Sequence, residues 1–252
     1  MSSPPPALYQ VHMSRLFALK EKRLKECKFC SGNGWQSEDV MCMCLTEVMF
    51  QYRLSCSNIP AKYRNASFDQ FAKKQHSAFK EVVGYANNLK NARDNGIGLH
   101  VHSAKSGTGK TLLMACVLRE AMKQGYWVWF TSMAQLMEDI RRGYDDERQR
   151  EAVEWAMFGT DFLLLDELTK THDKNGWVED RANDLIQRRV NDNRPILTTD
   201  QHPIAKLTEK YKDHIISRFV GQQMELSVEL GTDFRAEHQK KQLKELLYGG
   251  EA

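Results

Sequence analysis

The sequence predicts an α/β protein built as three layers around a parallel sheet. Five short stretches rich in aliphatic and aromatic residues alternate with helix-like stretches, the rhythm of a parallel sheet covered on both faces. A glycine-rich turn, Ala104-Lys105-Ser106-Gly107-Thr108-Gly109-Lys110-Thr111, separates one such strand from the helix after it. Phe162-Leu163-Leu164-Leu165 is apolar without alternation, as a doubly buried strand must be, and ends in Asp166-Glu167.

Bulk composition narrows the class further. Hydrophobic residues make up 41% and charged residues 27% of 252, ordinary for a globular protein. A formal net charge of +3 is too mild to argue nucleic-acid binding unless basic residues cluster locally. No apolar run approaches the ~20 residues that span a bilayer, so no membrane role is expected. Met1 to Pro6 holds no apolar signal core, and a cytoplasmic location is expected. The six cysteines then read as thiols or metal ligands rather than disulfides.

Taken in order, Leu8 to Glu26 sets Val11, Leu16, Leu19 and Leu24 among Lys and Arg, the pattern of an amphipathic helix. Cys27 and Cys30 form one knuckle, and Cys42 and Cys44, after an eleven-residue gap, form a tighter one. Four thiolates from two knuckles close a tetrahedral Zn²⁺ site with no open position, so the zinc is expected to be structural. A rival ligand set would include Cys56. So few residues surround the cysteines that metal binding would supply the folding energy. Pro60 forces Ile59 toward extended geometry and marks a boundary between residues 1–56 and 57–252.

Lys73 to Asn91 reads as a helix with Val82, Val83, Tyr85, Ala86 and Leu89 on its buried side. Leu99 and Val101 mark the first strand, and the helix from Leu112 runs through Met122 toward Gly125. Tyr126-Trp127-Val128-Trp129-Phe130-Thr131 is a second strand whose aromatics are core, with base stacking the alternative. Helical stretches are expected at Ser132 to Tyr144, Ala152 to Phe158, Trp177 to Val190 and Ile204 to Tyr211. Arg194 to Asp200 and Met224 to Leu230 complete the strands, and a charged helix runs to Tyr248.

Strand, glycine-rich turn, then Gly-Lys-Thr opening a helix is the context of a phosphate-binding loop. Backbone N–H groups curl around phosphate, and the helix N-terminus adds positive potential. Lys110 would reach the β- and γ-phosphates of ATP, and Thr111 would hold Mg²⁺. The pattern's first glycine is replaced by Ala104, which is tolerated where φ stays negative. Asp166, at the C-terminal end of its strand, would hold Mg²⁺ through water, and Glu167 would orient and deprotonate the attacking water.

Several ordered signals resemble the bacterial DnaC/DnaI-type replicative helicase loaders, a clade of AAA+ ATPases, and the related IstB-type transposition helpers. They are the cysteine knuckles, Ser57-Asn58-Ile59-Pro60 with Tyr63 and Phe68, and the loop Gly107 to Thr111. Leu165-Asp166-Glu167, Leu197 to Asp200, Ser217-Arg218-Phe219 and Gly231 to Arg235 complete the set. The resemblance implies an AAA+ sheet with a minimal C-terminal helical lid behind a small helical zinc-knuckle domain. It implies that Arg218 acts as an arginine finger on a neighbouring subunit's ATP, which requires a helical or ring-like oligomer. Arg235 resembles the sensor-2 arginine, and Tyr63 to Phe71 resembles the segment that frames adenine. Asp200 stands where the family has a sensor-1 Asn. A carboxylate facing the γ-phosphate would repel it unless protonated, turned away or metal-bound, with Thr199 then sharing the role. Arg141 and Arg142 lie where the clade places a helical element facing single-stranded DNA. The implied function is an ATPase that loads a DnaB-type helicase on single-stranded DNA; the alternatives are a transposition helper, a small-molecule kinase and a nucleotide-gated clamp.

Overall fold

In the computed structural model the described residues are 20–38, 40–71, 76–169, 175–209, 217 and 219–228, without the side chains of 207–209. Residues 20–25 are helical, followed by two short antiparallel strands, β1 (Trp35–Ser37) and β2 (Val40–Met41), and by helix α1 (Met43–Cys56). Helices α2 (Ser77–Asn87) and α3 (Leu89–Asn95) precede β3 (Gly98–His102), and α4 (Lys110–Lys123) follows it. Then come β4 (Val128–Ser132), α5 (Met133–Arg142), α6 (Glu147–Glu154), β5 (Phe162–Asp166), α7 (Trp177–Asn191), β6 (Ile196–Asp200) and β7 (Gln223–Ser227).

β3 to β7 form one parallel sheet in the order β4-β5-β6-β3-β7, as the alternation of elements predicted. Strand parity assigns the two faces. Leu99, Val101, Val128, Phe130, Phe162, Leu164 and Leu197 meet a core built with α2, α3 and α4. Trp129, Leu163, Leu165 and Ile196 face the other way, onto α5, α6 and α7. Helix α4 is buried almost all round, with Leu113, Met114, Val117, Leu118, Ala121 and Met122 at 0% exposure, because α1 and α2 cover the side away from the sheet.

Some expected elements differ. The run from residue 73 to 91 contains a break, since Asn88 leaves helical geometry (φ −114°, ψ 28°) and starts α3. Residues 204–209 form a 3-10 segment, and the helix of Ala152 to Phe158 ends at Glu154 in a π-turn, Trp155–Gly159. The aromatic strand, β4, lies at the edge of the sheet. Its edge is nonetheless covered: Phe130 N–H donates to the Ser57 carbonyl (2.9 Å) and Asn58 Nδ2 donates to the Phe130 carbonyl (2.9 Å). Trp127 and Trp129 are buried edge-to-face against Trp155, so they are core rather than a base-stacking surface.

The cysteine-bearing segment is tied to this body through α1. Cys44 stands at its start, while Phe50 and Leu54 join the α4 core and Cys56 lies under the tryptophan cluster. The expected C-terminal lid, residues 8–19 of the N-terminal helix and the helix to Tyr248 lie outside the described residues.

Candidate nucleotide site

Residues 103–109 leave β3 as a tight loop whose glycines supply its reversals, Gly107 at φ +77° and Gly109 at φ +86°. Ala104 is not among the residues with positive φ, which is the condition on which alanine replaces glycine there. Gly109 is the N-cap of α4, with no side-chain cap and no acid in the first turn. The first-turn N–H groups and the helix dipole thus face the loop without internal competition, as an anion site requires. Lys110 Nζ is held by the loop itself, donating to the carbonyls of Ser103 (3.2 Å) and Lys105 (3.0 Å) and to Thr108 Oγ1 (3.4 Å).

The same parity that built the core brings four groups together beside the loop. Thr111 Oγ1 donates to Asp166 Oδ1 at 2.9 Å, and Thr199 Oγ1 donates to the same oxygen. Thr199 Oγ1 also accepts from Glu167 N–H at 3.2 Å. Burial pushes the Asp166 carboxyl above its ordinary range; the Thr199 and Thr111 hydroxyls draw it down, Glu167 pushes it up and Lys62 draws it down. A threonine hydroxyl beside a carboxylate is a pair of hard oxygen donors and fits Mg²⁺. Glu167 leaves the strand at φ +56°, rare for a residue with a side chain, so its carboxylate starts a new direction at the sheet edge.

Asp200 points away from this cluster. It lies on the opposite face of β6 and is 3% exposed. It accepts from Thr169 N–H (2.7 Å) and Thr169 Oγ1 (2.8 Å), and from the N–H groups of Gln201 (2.7 Å) and His202 (3.0 Å). Of the three alternatives for this carboxylate, the chain uses the turned-away one. Gln201, which the sequence reading passed over, places Nε2 3.3 Å from Ser106 Oγ of the loop. No strand pattern marked it, because β6 ends at Asp200 and Gln201 lies in the bend beyond.

Tyr63 and Phe68 are half-buried against the edge of the core, Tyr63 with its ring 6.2 Å from Phe130 and Phe68 edge-on to Phe79 at 5.9 Å. Lys62 is exposed and lies over the Tyr63 ring at 4.7 Å. Arg141 and Arg142 end α5 at the surface; Arg141 lies over Trp177 (4.5 Å) and Arg142 pairs with Glu138 (3.3 Å). Arg218 and Arg235 lie outside the described residues.

At the other end of α1, Cys27, Cys30, Cys42 and Cys44 bring their Sγ atoms within 4.8 Å of one another, and Cys56 is not among them. Cys27–Cys42 and Cys30–Cys44 approach to 3.6 and 3.5 Å. A zinc–sulfur bond of about 2.3 Å gives a tetrahedral edge of about 3.8 Å, so the four thiols fit Zn²⁺. Gly34 N–H donates to Cys30 Sγ at 3.3 Å, and a Cβ at Gly34 would stand 3.0 Å from Leu45 Cδ2. Hydrogen bonds from the backbone at Phe29 and Cys30 lower the Cys27 thiol to about 6, whereas burial and the neighbouring thiols push the Cys44 thiol up to about 12.

The profile of the family described as IstB-like ATP binding protein matches residues 67–238. Uncharacterized protein YdaV of Escherichia coli (strain K12) is 27% identical over 115 residues, so the match covers 46% of this chain and about half, 46%, of that relative. The structure of the DnaC helicase loader is similar with a TM-score of 0.58 at 19% identity, covering 67% of this chain and 99% of that one. The structure of DnaI gives a TM-score of 0.58 at 18% identity, over 68% of this chain and 95% of that one. These two likenesses speak for the fold alone, the parallel sheet with its covering helices. Loop, carboxylate strand and sheet all fall within a matched span longer than half the chain, and the protein belongs to the IstB-like ATP-binding family.

Proposed function

We propose that this protein is an ATPase that binds a hexameric DnaB-type replicative helicase and delivers it onto single-stranded DNA in the cytoplasm. ATP binding assembles the array and hydrolysis releases it. Lys110 neutralises the β- and γ-phosphates, Thr111 and Asp166 hold Mg²⁺, and Glu167 takes the proton of the attacking water. Mg²⁺ supplies charge neutralisation on the phosphate oxygens. Arg218 would complete the site of a neighbouring copy, with Arg235 on phosphate in its own chain and Tyr63 and Phe68 toward the adenine side. Arg141 and Arg142, exposed at the end of α5, are proposed DNA-phosphate contacts. Residues 1–56 are proposed as the helicase-binding part, with a structural zinc.

The observation that favours the loader is the four-thiol cluster standing ahead of the nucleotide-binding body. The family match favours a second reading, a helper that coats duplex DNA for a transposase. Purified protein with ATP should retain a DnaB-type hexamer and not a transposase in pull-down. Filaments on duplex DNA with no helicase bound would reverse the preference. Zinc removal by a chelator should raise hydrogen exchange in residues 27–42 and sever helicase binding, while ATP binding persists. An absence of zinc in the purified protein would end the metal reading.

A further inference from the structure

We infer that Gln201 is a nucleotide-contacting residue whose side-chain amide meets the terminal phosphate of a bound triphosphate and so separates ATP from ADP. The inference rests on the ATP-site reading above. Of Thr199, Asp200 and Gln201, at the C-terminal end of β6 and just beyond it, the first two are already committed. Thr199 is spent on Asp166 and on the Glu167 N–H, and it is 1% exposed. Asp200 is buried on the far face, where Thr169 and the N–H groups of residues 201 and 202 surround it.

That arrangement of Asp200 has a consequence for its neighbour. A carboxylate accepting from the next two N–H groups bends the chain into an Asx-type turn. The turn swings Gln201 back to the face that carries the phosphate loop, and Nε2 reaches 3.3 Å from Ser106 Oγ. Ser106 is exposed at the crest of the loop. Gln201 thus approaches from the β6 side, the side of Asp166 and Glu167, where a terminal phosphate must lie for Glu167 to direct water at it. An amide is neutral and offers two N–H donors, so it binds phosphate where a carboxylate would repel it. Diphosphate lacks the group being met.

The test uses the full chain and calorimetric titration with ADP and with a non-hydrolysable ATP analogue. Gln201→Ala should weaken the triphosphate about tenfold or more while leaving ADP within about twofold, as loss of one hydrogen bond to a charged group implies. Gln201→Glu, nearly the same shape, should weaken the triphosphate further. Equal weakening of both nucleotides would assign Gln201 a structural role and overturn the inference, and so would no change in either. Lys110→Ala serves as control. A wild type that binds neither nucleotide, or a Lys110→Ala protein that binds as wild type does, would bring down the ATP-site reading itself, and this inference with it.

Discussion

The two ends of the central sheet both bury charge, and they use it in opposite ways. At the N-terminal ends of the strands Arg189 is fully buried, and burial lowers it to about 9. Its guanidinium donates to the carbonyls of Met157 (2.6 Å), Thr160 (3.3 Å), Asp161 (3.2 Å) and Pro195 (2.9 Å). Arg194 takes the Gly159 carbonyl at 3.0 Å, and Arg93 pairs with Asp161 at 3.1 Å. These are carbonyls of the π-turn and the strand starts, groups that need donors when buried. At the C-terminal ends, Asp166 is bonded to two hydroxyls and Glu167 stands in a left-handed conformation. Charge spent on main-chain carbonyls fixes the fold. Charge held by short hydroxyl side chains can exchange them for a ligand, which is why the site lies at this end.

The sharpest way to break this comparison is to change one carboxylate at the C-terminal end. Glu167→Gln should lower steady-state ATP turnover by about 10²-fold or more, the usual contribution of a general base, with nucleotide binding and melting temperature unchanged. Undiminished turnover would remove Glu167 as the base. The mirror experiment is Arg189→Leu. Four buried carbonyls lose a charged donor, although Thr160 keeps Arg194 and Pro195 keeps the Leu163 N–H, and the unfolding free energy should fall by about 3–5 kcal/mol. Tm should fall by about 10 °C, while the folded fraction binds nucleotide as before. A variant with wild-type Tm would show that the buried guanidinium is replaceable by apolar packing.

The functional end was legible in the sequence and the structural end was not. Gly107, Gly109, Lys110 and Thr111 are recognisable because phosphate binding demands those residue types at that spacing, and the apolar run before Asp166 marked its strand. Cys27, Cys30, Cys42 and Cys44 announced themselves by spacing in the same way. Arg189 carried no such mark: in α7 it reads as one more basic residue in a last turn, since its partners are carbonyls that depend on how the π-turn folds. The edge position of the aromatic strand was hidden for a related reason, because Ser57 and Asn58 cover it from a segment 72 residues away in sequence. Asp200 was legible as a departure, but its direction followed from partners at Thr169 and His202 that no local pattern supplies.

A smaller effect refines the comparison at a titratable group on the face away from the nucleotide loop. His100 is fully buried on β3, with Nε2 3.0 Å from the His202 carbonyl and Nδ1 2.7 Å from Thr198 Oγ1. A carbonyl only accepts, so Nε2 carries a hydrogen, and in the neutral ring Nδ1 accepts from the Thr198 hydroxyl. Burial lowers its pKa below the ordinary 6.5; the His202 carbonyl and Glu225 raise it, the stacked His102 lowers it, and Asp200 raises it. The unfolded chain therefore takes up a proton on acidification before the folded one does. The stability this ring contributes is complete above about pH 6.5 and is lost as pH falls through the folded value, with a slope of up to about 1.4 kcal/mol per pH unit for one proton. Urea unfolding of wild type and His100→Gln at pH 7.5 and pH 5.5 reads this directly. The variant should be less stable at pH 7.5 yet lose less on acidification. Parallel losses in the two proteins would show that the acid sensitivity does not arise at His100.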